Sequence, residues 1–212
     1  RTDPYAWMRD SNWREAMRDP DQLDREIRSY LEAENRYCEA VMEPTEALRK
    51  RLFDELKGRI REDDRSVPDP DGPWAYYSRF RTGGQHPVLC RKPRDDEGDE
   101  REQILLDGDT EAEGTDYFQL MGAEHSPDHR YLAWACDTAG AEVCRIRIRD
   151  LETGDDREEI LEGARGDLVW ANDSATLLFT KIDDEHRSRW VHRFRLGTDP
   201  AAAPLVYEEP DP

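Results

Sequence analysis

Two histidines stand four residues apart in "AEHSPDHRYLAWA", His125 and His129. On a helix that spacing would set both imidazoles on one face, as zinc ligation requires. Pro127 and the strand-forming run that follows argue against a helix, so no metal site is expected. Ser126 and Ser174 lie beside Asp128 and Asp173, the pairing of hydroxyl and carboxylate that nucleophilic catalysis uses. Both fall in turns before a strand, where Ser and Asp side chains hydrogen-bond their own backbone, and recurrence in that place reads as turn capping. A serine nucleophile on a strand-to-helix elbow would show as GxSxG, and no such segment occurs. "DGDTEAEG" has the oxygen density of a calcium loop without EF-hand spacing, and reads as a solvated acidic loop. The RGD tripeptide at Arg165 to Asp167 is expected in a strand-to-strand turn, with no mechanism for adhesion. His86, His186 and His192 read as structural. The six tryptophans read as packing rather than carbohydrate platforms. No catalytic, cofactor-binding or metal-ligating residue is expected here, and no cofactor.

Cys38, Cys90, Cys136 and Cys144 lack CxxC spacing and are too sparse for a disulfide framework. In a hairpin centred on Gly140, opposed residues sum to 280, which places Cys136 opposite Cys144. Neighbouring thiols, reduced in a cytoplasmic compartment, are expected.

Fifty acidic residues against 31 basic ones give the 212-residue chain a formal charge of -19. Lys50, Lys57, Lys92 and Lys181 are the only lysines. Nucleic acid is excluded as an expected partner, because no basic stripe exists to displace counterions from a phosphate backbone. An acidic surface suits cationic ligands, but excess Asp and Glu first serves solubility or a salt-adapted host. No apolar run spans a bilayer and no signal segment opens the chain, although it begins at Arg1 without an initiator Met. A soluble, cytoplasmic protein with no membrane partner is the expectation.

The elements that must position these residues divide in two. From Leu23, Ile27, Tyr30, Leu31, Cys38 and Val41 fall at helical spacing until Pro44. Thr45 is the expected N-cap of a second helix with the stripe Leu48, Leu52, Phe53, Leu56 and Ile60, its last turn weakened by Gly58. "EDDRSVPDPDG" then carries breakers and no period. This predicts a helical segment over 1–66 and a strand-rich domain over 67–212.

Within the second part, "WAYYSRF" and "HPVLCRK" flank the glycine turn "RTGGQ", a hairpin plan that returns twice. Asp128 and Asp173, Leu132 and Leu177, Leu151 and Leu196, and Thr153 and Thr198 are each 45 apart. The first copy is longer: Asp71 precedes Asp128 by 57, with most of the excess in "DGDTEAEGTD". Four short strands recurring at about 45 residues make a β-propeller blade. The fold class is therefore mainly β, a partial propeller of about three blades behind a helical segment.

The ordered set "DPYAWMRD", "YYSRFRTGGQHPVLCRKP", "ILLDGD", "AEGTDYFQLMGAEHSPDHRYLAWACDTAG", "VWANDSATLLF" and "LGTDP" with "LVYEE" resembles the oligopeptidase B group of the prolyl oligopeptidase family of serine peptidases. That resemblance covers essentially the whole chain. It implies a cytoplasmic two-domain enzyme: an α/β-hydrolase domain with a Ser, Asp, His triad, and a seven-bladed propeller that keeps large folded substrates out. It also implies that the N-terminal helices pack on the hydrolase domain, and that the parent cleaves short cationic peptides after Lys or Arg. No triad residue can be carried onto any position here. A non-catalytic protein-binding propeller and a prolyl-specific relative are the alternatives; "DPYAWMRD" and the helices, which a free-standing propeller does not need, favour the peptidase.

Overall fold

In a computed structural model describing residues 3 to 211, helices fill the first part of the chain and strands most of the rest, divided between Arg61 and Glu62. The sequence places this change after residue 66. Residues 64 and 66 already belong with the strands, because Phe80 donates its backbone N–H to the Asp64 carbonyl and Ser66 donates to Ser78, both at 2.9 Å.

The helical unit contains α1 (Trp13–Arg18), α2 (Arg25–Met42) and α3 (Glu46–Lys57). Asp24 starts α2, its carboxylate accepting from the N–H groups of Glu26 and Ile27, two donors that a helix start otherwise leaves unpaired. Asp10 holds Asp24 in turn, accepting its N–H at 2.8 Å. A single 3-10 turn, Glu43–Thr45, joins α2 to α3. Thr45 holds the N-cap position expected of it but makes no side-chain cap: its backbone is helical and its hydroxyl donates back to the Met42 carbonyl at 2.6 Å. Helix α3 ends at Lys57 on Gly58, so Ile60 lies beyond the helix. Leu48, Leu52, Phe53 and Leu56 form its apolar stripe and all are exposed, Phe53 by 65%.

The strand unit opens with a four-stranded antiparallel sheet, β1 (Asp69–Asp71), β2 (Trp74–Arg79), β3 (Val88–Pro93) and β4 (Gln103–Asp107), paired in chain order. After α4 (Gly108–Glu111) come β5 (Gln119–His125), β6 (Tyr131–Asp137), β7 (Cys144–Asp150), β8 (Leu161–Trp170), β9 (Thr176–Ile182), β10 (Ser188–Arg195) and β11 (Leu205–Glu208). These seven also pair antiparallel in chain order. Strands β6 and β9 begin and end 45 residues apart, and β2 begins 57 residues before β6. The excess in the first copy falls between β4 and β5, where α4 and its loop stand.

Strand β8 belongs to two blades. Its first half pairs with β7 (Ile146 opposite Leu161, Cys144 opposite Ala164), and its second half with β9 (Leu168 opposite Phe179, Trp170 opposite Leu177). Register shifts between Ala164 and Leu168, where Gly166 has φ 110°, a left-handed conformation that favours glycine. There β8 also meets β5: a Cβ on Gly122 would collide with the Gly166 carbonyl oxygen, and a Cβ on Gly166 would lie 2.9 Å from that of Met121. Two glycines thus allow the first strands of the second and third blades to touch.

Between these two blades lie Ile146, Ile148, Leu161, Leu168, Trp170, Leu177, Phe179 and Phe194. A separate layer joins Leu105, Leu106 and Phe118 to Leu132, Trp134 and Cys136 across the first and second blades. Each large apolar side chain so buried contributes about 1.5–3 kcal/mol.

Two local expectations change. Cys136 opposes Arg145, a sum of 281, so Cys144 points to the other face of the sheet. Cys136 packs with Leu132 and Trp134, and Cys144 with Ala133 and Ile146. The hairpin is closed by the Asp137 carboxylate, which accepts from the N–H groups of Ala139, Gly140 and Glu142. The RGD tripeptide lies inside β8 rather than in a turn, with Arg165 paired to Glu142 and Asp167 accepting from Thr180.

Candidate functional site

The turn between the first and second strands of each blade repeats an aspartate followed by a residue of positive φ: Asp71 with Gly72 (54°), Asp128 with His129 (62°), Asp173 with Ser174 (53°). These turns lean on one another. Ser174 Oγ accepts the backbone N–H of Asp128 at 3.0 Å, and His129 reaches over Gly72, its Nε2 lying 2.6 Å from where a Cβ would stand.

Ser126, Asp128 and Asp173 cap their own turns, whereas Ser174 bonds the turn of the neighbouring blade. Ser126 is fully buried; its hydroxyl donates to Asp128 at 2.5 Å and accepts the Tyr131 N–H at 2.9 Å, so it has no attacking role. Asp173 accepts the N–H groups of Ala175 and Thr176 and the Thr176 hydroxyl. The serines themselves are not equivalent, however. Ser174 aligns with His129, and Ser126 with Ala171.

His125 ends β5 and His129 sits in the following turn, so the pair is brought together without a helix, rings stacked at 5.4 Å. Asp71, from the end of β1 in the other sheet, meets His125 Nε2 at 2.9 Å. Tyr76 on β2 completes the cluster: its ring stacks on His125 at 3.8 Å and 10°, and its hydroxyl is 2.9 Å from His129 Nδ1. One ligand atom from each of Asp71, His125 and His129 lies within 4.8 Å of the others. The hydrogen bond from His125 holds the Asp71 carboxyl below its ordinary range, and burial pushes the His129 imidazole down. Arg91 flanks the group, its guanidinium over the Trp74 ring at 4.1 Å and donating to the His129 carbonyl. Asp71 and Tyr76 are absent from the chemistry read in sequence. The signal for Asp71 was its alignment with Asp128 at the 57-residue offset, which makes it the same turn one blade earlier.

The acidic segment after β4 is more built than a solvated loop. Asp109 Oδ1 accepts the N–H groups of Gln85 and His86 in the first-blade hairpin. Glu111 pairs with Arg149 of β7 at 2.8 Å, Arg149 also holding Asp156 at 2.7 Å. Asp107 pairs with Arg81. A second charged group surrounds Glu102, which accepts the Tyr77 hydroxyl at 2.6 Å and Arg79 at 2.8 Å. The hydrogen bonds from Arg79 hold the Glu102 carboxyl low, and burial, with Glu102 beside it, drives the Tyr77 phenol up. Of the remaining histidines, His86 stands edge-on to Phe118 and His192 Nδ1 meets the Ala203 carbonyl at 3.0 Å. Trp134 and Trp170 are buried, as packing requires, whereas Trp7 and Trp13 are exposed.

Among the described residues no helix is long and apolar enough to cross a membrane. The chain is 38% identical to a dipeptidyl aminopeptidase BI of Pseudoxanthomonas mexicana over its full length, covering 30% of that protein. It is 29% identical to a Protease 2 of Moraxella lacunata, again over the whole chain and 30% of the relative. The oligopeptidase B structure from Leishmania major superposes with a TM-score of 0.86 at 28% identity, over all of this chain and 29% of that one. That from Trypanosoma brucei superposes at 0.83 and 27% identity, over all of this chain and 28% of that one. The chain thus spans about 30% of the length of these relatives. The family description "prolyl oligopeptidase, N-terminal beta-propeller domain" matches residues 1–212, and with the bladed meanders behind a helical unit this makes the chain a member of the prolyl oligopeptidase peptidase family, corresponding to its N-terminal propeller region.

Proposed function

We propose that this chain is the N-terminal and propeller portion of a serine oligopeptidase that hydrolyses short peptides after Lys or Arg. The propeller limits substrate size, and an α/β-hydrolase domain outside these residues supplies the acyl-transfer serine. The observation that carries the reading is likeness to oligopeptidase B along the entire chain, helical unit included. The charge of -19 supports cationic substrates, since carboxylates attract them at long range. The exposed stripe of α3 supports an apolar partner surface, for which the hydrolase domain of the same protein is the candidate. Four free thiols suit a cytoplasmic setting.

A second reading rests on the 38% identity to a dipeptidyl aminopeptidase: release of dipeptides from free N-termini. Full-length protein assayed on N-blocked peptides carrying Arg, Lys or Pro before the scissile bond, and on unblocked dipeptidyl substrates, separates the two. Cleavage after Arg and Lys in blocked peptides, with folded proteins spared, is expected. Activity confined to unblocked dipeptidyl substrates selects the second reading, and cleavage only after Pro removes both. A serine-directed fluorophosphonate should label the full-length protein and leave residues 1–212 unlabelled.

A further inference from the structure

We propose that Asp71, His125 and His129 bind one divalent transition-metal ion, zinc by donor preference, between the first and second blades. Two imidazoles and one carboxylate are the donor set of many zinc sites with a fourth position left to water. A tetrahedral ion about 2.0–2.2 Å from its N and O ligands sets neighbouring donors roughly 3.3 Å apart. Asp71 and His125 are already at 2.9 Å, and all three donor atoms fall within 4.8 Å. Of the three ligands Asp71 is the most exposed, at 60% of its side chain, and so the least confined as the donors draw together.

The surroundings are those a ligated histidine uses. Metal-bound imidazoles have their other nitrogen fixed by a hydrogen bond, which sets ring orientation and tautomer. Tyr76 does this for His129 through Nδ1, leaving Nε2 for the ion, and its ring lies flat against His125. His125 now directs Nε2 at Asp71; on ligation by Nε2 its proton moves to Nδ1, with no net change in protonation. Gly72 lets the His129 imidazole lie close over the turn that carries Asp71, since any side chain there would collide with Nε2. Nearby charges are Asp71, Asp128 and Arg91, one negative charge in excess before the cation arrives. The ligands come from both sheets, so the ion would join the first blade to the second where the backbone provides no shared strand.

The test uses full-length protein stripped with chelator and titrated with ZnCl2 against a chromophoric competitor. One equivalent of zinc bound by the wild type, with a zinc-dependent rise in melting temperature, is expected. Asp71→Asn, His125→Ala and His129→Asn should each lose that equivalent and that rise; Asn tolerates the left-handed backbone at position 129. Tyr76→Phe should bind about 10-fold more weakly. Co2+ added to the wild type should give the intense visible bands of a tetrahedral site, a readout independent of how the variants fold. Loss of no equivalent in any ligand variant, or a Co2+ spectrum of the hydrated ion alone, overturns the proposal.

Discussion

Three of the four cysteines are buried, and burial pushes Cys90 up to about 12 and Cys144 up to about 11, with Cys136 also raised. Thiolate is the reactive form, so these three should resist alkylation in the native 212-residue chain, while exposed Cys38 reacts. Iodoacetamide labelling near neutral pH, read by mass spectrometry before and after urea, should give one modified cysteine and then four. Native labelling of Cys144 would contradict its placement. Glu102 sets a second expectation. Its carboxyl is held low by Arg79, so its contribution is present above the ordinary carboxylate range and disappears as pH falls through the lowered value. Glu102→Gln should lower stability near pH 7 and flatten the loss of stability below about pH 4.3 in urea titrations. What sequence conveyed at this scale was chemistry without partners. His125 and His129 were visible as a pair, yet Asp71 lies in another sheet and nothing local announces it. A hairpin centred on Gly140 would oppose Cys136 and Cys144; Asp137 sets the turn differently, and one step of register puts the second thiol on the opposite face.

Offsets between residues carried the most information about elements. The 45-residue offset read between Asp128 and Asp173 or Leu132 and Leu177 holds at both ends of β6 and β9, because blades of equal length must return the chain to the same place. What it hid was continuity: two strands were expected where the single strand β8 runs from one blade into the next. A bulge at glycine reads in sequence like a turn, and RGD, expected in a strand-to-strand turn, lies at the bulge of a continuous strand. Thr45 is the N-cap its residue type suggests but caps nothing with its hydroxyl, since the 3-10 turn through Pro44 keeps the backbone helical rather than starting the helix afresh. The contact between β5 and β8 yields a sharp expectation. A Cβ on Gly122 would meet a carbonyl oxygen that cannot rotate away, so Gly122→Ala should cost about 1–3 kcal/mol of strand-unit stability. Urea denaturation followed by the fluorescence of buried Trp170 and Trp134 would report it. A change within experimental error would mean that the two strands part more easily than their spacing suggests.

For the molecule as a whole, repulsion among carboxylates competes with its ion pairs. Several pairs among the described residues involve a largely exposed partner, such as Lys50 with Asp54 or Arg101 with Asp95, and exposed pairs contribute only about 0–1 kcal/mol. With a net charge of -19, repulsion should prevail. Raising salt from about 0.01 M to about 1 M shortens the screening length from roughly 30 Å to 3 Å and should raise the melting temperature. A falling melting temperature would mean that networks such as Glu111, Arg149 and Asp156 dominate. Strand β8 has a mechanical corollary. Because one unbroken backbone serves the second and third blades, tension applied across the array cannot separate them without tearing hydrogen-bonded ladders on both sides at once. The first and second blades are joined instead by α4 and its loop, slack that can pay out before any ladder is strained. A pulling force should therefore open the seam beside Asp71 and His125 first and deliver the next two blades as a single piece.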